Sequence, residues 1–279
     1  MRREASWSGA TDKGYKIIYL DGVATNTGVF DTGVNGLTFK EGGTNFTNSL
    51  LVGTNTTGTL SSADGNTGVG TSVLAALTSG DNNVAVGFES LKANTTGGSN
   101  TAIGKCSLVT NISGGANIAI GLNALKLNTA SNNLAVGHCA MNNNTSGTEN
   151  TAVGFVAMNK NTTGDFNTAL GRGALCSNTT SDDNTAIGFC AMRATTTGAT
   201  NTSIGANTMM ENTTGCLNTV VGAGALQCNT EGCQNIVMGG QAMRQNQTGD
   251  NNTAIGREAL CANTTADGNT AVGYRALCA

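Results

Sequence analysis

From residue 66 onward, apolar and polar positions recur on a period far longer than the turn of a helix or the alternation of a strand. The glycine of a recurring [AGSV]-[IVLM]-G falls at Gly70, Gly87, Gly104, Gly121, Gly137, Gly154, Gly171, Gly188, Gly205, Gly222, Gly239, Gly256 and Gly273. Eleven of the twelve spacings are 17, and the step from Gly121 to Gly137 is 16. Gly53, a further 17 residues upstream, heads a degenerate copy. The consensus is N-T-A-V-G-x-x-A-L-x-x-N-T-T-G-x-x, numbered here from its first asparagine. The third and eighth positions are mostly Ala. From Asn66 onward no Lys, Arg, Asp or Glu occupies the first five positions, the eighth or the ninth. Charge avoids what must be buried, so the repeat separates an inside from an outside.

A helical repeat needs about 33 residues or more. A 17-residue unit with glycine at its fifth and often its fifteenth position leaves only short segments, which suit strands. The fold class predicted is all-β: a parallel β-solenoid, or β-roll, of 13–14 coils. Each coil is expected to hold two short strands, N-T-A-V-G and x-A-L-x-x, joined by turns. With stacked strands ~4.8 Å apart, such a stack makes a rod of roughly 60 Å.

The large aliphatic positions are assigned to the core. At the fourth position these are Val69, Val86, Ile103, Ile120, Val136, Val153, Leu170, Ile187, Ile204, Val221, Met238, Ile255 and Val272. At the ninth they are Leu74, Leu91, Leu108, Leu125, Met141, Met158, Leu175, Met192, Met209, Leu226, Met243, Leu260 and Leu277. Side chains alternate faces along a strand. Thr270 is therefore expected to point inward with Val272, while Ala271 and Ala276 face away.

The first position is always asparagine: Asn66, Asn83, Asn100, Asn117, Asn133, Asn150, Asn167, Asn184, Asn201, Asn218, Asn235, Asn252 and Asn269. Asparagines stacked coil on coil can form amide ladders. The same reasoning covers most of the asparagines at the twelfth position. Proline would remove a ladder hydrogen bond at every use, and the chain has none.

Residues 1–48 lack the repeat and form a separate unit ahead of the solenoid of 49–279. Six of the eleven aromatics lie there: Trp7, Tyr15, Tyr19, Phe30, Phe39 and Phe46. KIIYLDG (16–22) and GVNGLTF (33–39) look like strands with Gly/Asn/Asp turns. The segment suits a cap on the solenoid, an attachment joint, or both. Its start has basic residues but no apolar core behind them, unlike a signal peptide.

Composition narrows the partners. Charged residues are 11% of the chain against about 25% in an average globular protein. The net charge of −3 leaves no basic patch for nucleic acid. No apolar run approaches the ~20 residues of a membrane span. The small third and eighth positions, expected to face outward, make flat surfaces on which three rolls could pack closely, which predicts a homotrimer. A monomeric solenoid with solvated Ala surfaces is the alternative. A coil ending at Ala279 would expose a strand edge, a template for head-to-tail stacking into a filament.

Nine cysteines are present. Cys216/Cys233 and Cys261/Cys278 share a phase in adjacent coils, close enough for inter-coil disulfides in an oxidising compartment. Free thiols are the other reading. His138 is the only histidine, so no metal site or histidine triad is expected. No cofactor motif or catalytic pair of carboxylates is visible, and no enzyme activity is predicted. N-x-[ST] sequons at Asn94, Asn161, Asn178, Asn212 and Asn263 arise from the N-T-T-G turn and would be exposed at one edge, open to glycosylation.

The phrase N-T-A-[IV]-G-x-x-A-L-x-x-N-T-T-G resembles repeats of phage and virus tail-fibre proteins. It is similar, more loosely, to the S-V-A-I-G head repeats of trimeric autotransporter adhesins, whose shorter repeats form left-handed parallel β-rolls as trimers. The resemblance covers residues 49–279. Tail-fibre proteins of this sort often end in an intramolecular chaperone domain, which is not part of this sequence. The resemblance implies a structural fibre, left-handed in coil, on a virion, cell surface or other extracellular structure. It would attach to a host glycan or receptor and partner chiefly with itself. An ice-binding or other surface-binding solenoid is the second reading. It needs a regular outward threonine array, and Thr253 and Thr270 are expected in the core phase, with Thr264 and Thr265 in a turn.

Overall fold

The structure, a computed structural model, describes residues 28–31, 38–41, 48–53 and 57–278. Its strands form one sixteen-stranded sheet in which neighbours follow chain order. Strands β1 (Gly28–Asp31) and β2 (Thr38–Glu41) pair antiparallel, and β2 pairs antiparallel with β3 (Leu50–Val52). From β3 onward every pairing is parallel, through β4 (Thr67–Val69) to β16 (Thr270–Val272). This is the predicted all-β solenoid, about thirteen coils long. The expected strand at 16–22 lies outside the described residues; of 33–39, Thr38 and Phe39 fall in β2.

Each coil contributes one strand, not two. The strand is the second to fourth positions of the repeat; the eighth and ninth lie in a run of turns. The backbone explains why. The seventh and ninth residues adopt the left-handed region, as at Glu89 (φ 57°) and Leu91 (φ 49°), which extended strand excludes. The turn segments still bond to the neighbouring coil. The Leu91 N–H donates to the Ser107 carbonyl at 3.1 Å and the Ala93 N–H to that of Val109 at 3.2 Å. Stitching therefore continues around the coil, beyond the three strand residues.

The inward and outward faces of the strand are the reverse of the sequence expectation. The third-position residues are buried, Ala85, Ala102, Ala119 and Ala186 completely so. The fourth-position aliphatics Val69, Ile103, Ile120, Leu170, Ile204, Met238, Ile255 and Val272 are exposed, and Val86, Val136, Val153, Ile187 and Val221 are half-buried. Thr270 and Val272 both point outward, and Ala271 lies inside. The asparagine sets this parity. Asn at the first position is buried, and side chains two apart share a face, so the third position joins it inside. The small third residue leaves room for the ninth-position Leu or Met, which is buried from Leu74 to Leu260. Leu277 is 61% exposed because its coil, the last described, has a neighbour on one side only. Ala124, Ala140 and Ala157 at the eighth position complete the core. The alanines are thus consumed inside the chain and form no outer packing surface.

Both asparagine rows are ladders. In the first, each Oδ1 accepts from the backbone N–H of the next asparagine, as Asn100 to Asn83 at 3.0 Å and Asn218 to Asn201 at 3.0 Å. The side-chain amide of that next asparagine usually donates to the same oxygen, at 3.1 Å in both cases. The row runs from Asn66 to Asn269. In the second, Asn161 donates to Asn144 and Asn178 to Asn161, each at 2.7 Å. Each member except Asn128 also bonds the carbonyl three residues on, as Asn161 to Gly164 at 3.0 Å, which closes the turn. The interior is therefore half polar and satisfied by repetition.

The 16-residue coil tests the architecture. Its missing residue falls in the turn after Thr129, so β7 (Ile118–Ile120) and β8 (Leu134–Val136) keep their register. The second ladder breaks instead. Asn128 turns its amide to the Ala130 carbonyl at 2.8 Å, and the buried Asn111 Oδ1 is left without a partner.

Candidate functional site

The outward face of β4–β16 carries two parallel rows. The second-position row has threonine in nine of thirteen strands: Thr67, Thr101, Thr151, Thr168, Thr185, Thr202, Thr219, Thr253 and Thr270. Val84, Ile118, Leu134 and Ile236 fill the rest. The fourth-position row is wholly aliphatic. Register is exact from coil to coil, with Thr168 beside Thr185 and Leu170 beside Ile187. Rows of this geometry repeat every ~4.8 Å along the rod and stand ~6.6 Å apart across the strand. Neither row contains a charge or an aromatic ring.

The hydroxyls of this face differ from those elsewhere. Thirteenth-position threonines spend theirs on the next coil, as Thr162 to the Thr179 carbonyl at 2.8 Å and Thr213 to that of Thr230 at 2.9 Å. Among the described residues, none of the nine second-position hydroxyls bonds to protein. They present free donors and acceptors between rows of methyl groups. Covering them with a dry apolar surface would strand nine hydroxyls, each at about 1–3 kcal/mol.

The inward threonines expected from the sequence are thus outward, which removes the objection to a regular array. Thr253 and Thr270 belong to it; Thr264 and Thr265 lie exposed in a turn. Beside the face, the sixth position forms a row of rings and cations. His138 stacks on Phe155 with centroids 5.2 Å apart. Arg172 lies 5.7 Å from the rings of both Phe155 and Phe189, and Lys105 lies 5.6 Å from Phe88.

The structure forms one of the two expected disulfides. Cys261 and Cys278 are bonded, with Cα atoms 5.1 Å apart. Cys216 and Cys233 are not bonded to each other, though their sulfurs are in contact. Burial first, then the Cys216 thiol, pushes the Cys233 thiol up to about 11. Burial likewise raises Cys176 and Cys228. A nucleophilic cysteine needs the opposite shift. Carboxylates at the sixteenth position serve the backbone: Asp182 accepts from the Asp165 N–H at 2.8 Å and Asp165 from that of Thr148 at 2.6 Å. Among the described residues no three His, Cys, Asp or Glu side chains gather to hold a metal.

The sequons are corrected too. Asn94, Asn161, Asn178 and Asn212 are fully buried, with their amides in the second ladder or its turn. Asn263 is half-buried and donates to Asn246 at 2.8 Å. The folded chain offers no free amide at these five positions for a glycan.

The chain matches no family model, no curated protein and no solved structure.

Proposed function

We propose that the chain is the shaft of a structural fibre, extracellular, on a cell surface or on a virion, and not an enzyme. One observation carries this reading. Some thirteen near-identical coils stack in register through ladders that run the length of the rod, an arrangement that holds a fixed span rather than a reaction centre. The resemblance to tail-fibre repeats supplies the attachment role, to a host glycan or receptor. Residues 1–48 would form the cap or joint; the hairpin of β1 and β2 along the edge of β3 supports this.

Self-association is part of the proposal, as a homotrimer or a head-to-tail filament. The alanine surfaces no longer argue for the trimer, since the core uses them; the resemblance alone does. Negative-stain microscopy with a mass measurement in solution tests both. Slender rods of roughly 60 Å per chain, in trimers or end-to-end strings, are expected. Isolated monomeric rods at high concentration would refute the fibre.

A further inference from the structure

We infer that the outer face of the sheet is an ice-binding site, whose ligand is the ordered water of an ice surface. The fibre proposal does not require this, and either can fail without the other.

The argument is one of elimination by chemistry. The face runs the length of the rod as two unbroken rows, from β4 to β16. It carries no charge from Thr67 to Val272 at either row, so nucleic acid, anionic lipid and acidic glycans find no counter-ion. It carries no ring on which a neutral sugar could stack; the rings sit at the sixth position, to one side. A second copy would pack sheet to sheet at ~10 Å, the spacing set by the aliphatic rows. The shorter threonines could not reach across, and their hydroxyls would be buried unpaired.

What remains is a neutral ligand that supplies hydrogen bonds on a repeating two-dimensional grid. Ice is such a ligand, and its oxygen lattice repeats at distances near those of the two rows. β9 (Thr151–Val153), β10 (Thr168–Leu170), β11 (Thr185–Ile187), β12 (Thr202–Ile204) and β13 (Thr219–Val221) give five uninterrupted threonines, each flanked by an aliphatic residue two positions on. The in-register ladders beneath fix their spacing before any ligand arrives, so little ordering remains to be done on binding.

The test uses the full chain. Thermal hysteresis and enrichment in slowly grown ice are measured for the parent, for Thr185→Tyr with Thr202→Tyr, and for Thr180→Tyr. Thr180 is exposed in a turn away from the face. Circular dichroism confirms that each variant is folded. The proposal expects hysteresis and enrichment in the parent, a several-fold loss in the face variant and no loss at Thr180. Exclusion of the folded parent from ice, or equal activity in the face variant, overturns it. So does light scattering that shows a stable oligomer disrupted only by the face variant, since the occupant is then a second copy.

Discussion

Replacing Asn218 tests whether the first ladder holds the solenoid together. Asn218 is buried and makes four side-chain bonds. Its amide donates to Asn201 Oδ1 at 3.1 Å and to the Gly232 carbonyl at 2.8 Å. Its Oδ1 accepts from the Asn235 N–H at 3.0 Å and from the Asn235 amide at 3.1 Å. In Asn218→Ala three of the four partners keep another bond. Asn201 Oδ1 keeps the residue-218 N–H, Gly232 keeps Asn229, and the Asn235 amide keeps Gly249. Only the Asn235 backbone N–H is orphaned. At about 1–3 kcal/mol for the orphan and ~0.5–1.5 for each other lost bond, the variant should lose roughly 3–7 kcal/mol. Asn218→Asp keeps the acceptor for Asn235 but points a carboxylate at two acceptors, Asn201 Oδ1 and the Gly232 oxygen. That raises its pKa in the folded chain above the unfolded value of about 4. A raised folded pKa means that the folded state binds the proton more tightly, so Asn218→Asp gains stability relative to Asn218→Ala as pH falls from 7 towards 4. Denaturation followed by hydrogen exchange at coils 201–251 reads the effect locally, because repeat proteins open by neighbours and not all at once. A loss under ~0.5 kcal/mol in Asn218→Ala, the range of an ordinary surface change, would refute the ladder argument. So would acid weakening Asn218→Asp relative to Asn218→Ala.

Three further outcomes follow from the same geometry. Inserting one threonine after Thr129 should return Asn128 to the second ladder and satisfy Asn111 Oδ1, raising stability by about 1 kcal/mol in a melt; no gain would mean that the orphan is solvated. Gly87→Ala should lose about 3 kcal/mol or more, since φ is +128° and the new Cβ would sit 2.7 Å from the Gly104 carbonyl carbon and oxygen, and denaturant midpoints measure it. Between pH 9 and about 11 the folded chain keeps the Cys233 proton that the unfolded chain gives up. Stability should therefore fall as pH rises through that window, and Cys233→Ser should flatten this part of the stability-pH curve relative to the parent.

The period, the fold class and the first ladder were legible because they depend on recurrence, and a wrong register would have broken every copy at once. Facing was not. Size favoured Val and Ile at the fourth position over Ala at the third as core, yet the asparagine beside them already held the answer. A ladder position is buried by its own logic, and strand parity then puts Ala169 inside and Leu170 out. Facing also decides the candidate site, because a core fourth position puts Thr253 and Thr270 inside. The second strand was misjudged for a different reason. Positive φ at Leu91 or Met158 has no signature in residues that ordinarily avoid it. Glycine at Gly173 and Gly224, in the seventh position of two coils, was the available hint.

Stacking by axial hydrogen bonds also decides how the shaft would bear a pull. Tension along the rod loads the ladders lengthwise, and each coil is held only by its two neighbours. The chain should therefore yield from an end, one coil at a time, each event releasing up to roughly 60 Å of slack from 17 residues. A tether drawn out under a steady force would lengthen in even steps instead of snapping. The Cys261–Cys278 bond encloses one such length in a covalent loop. The step at that coil would therefore be shorter than the others.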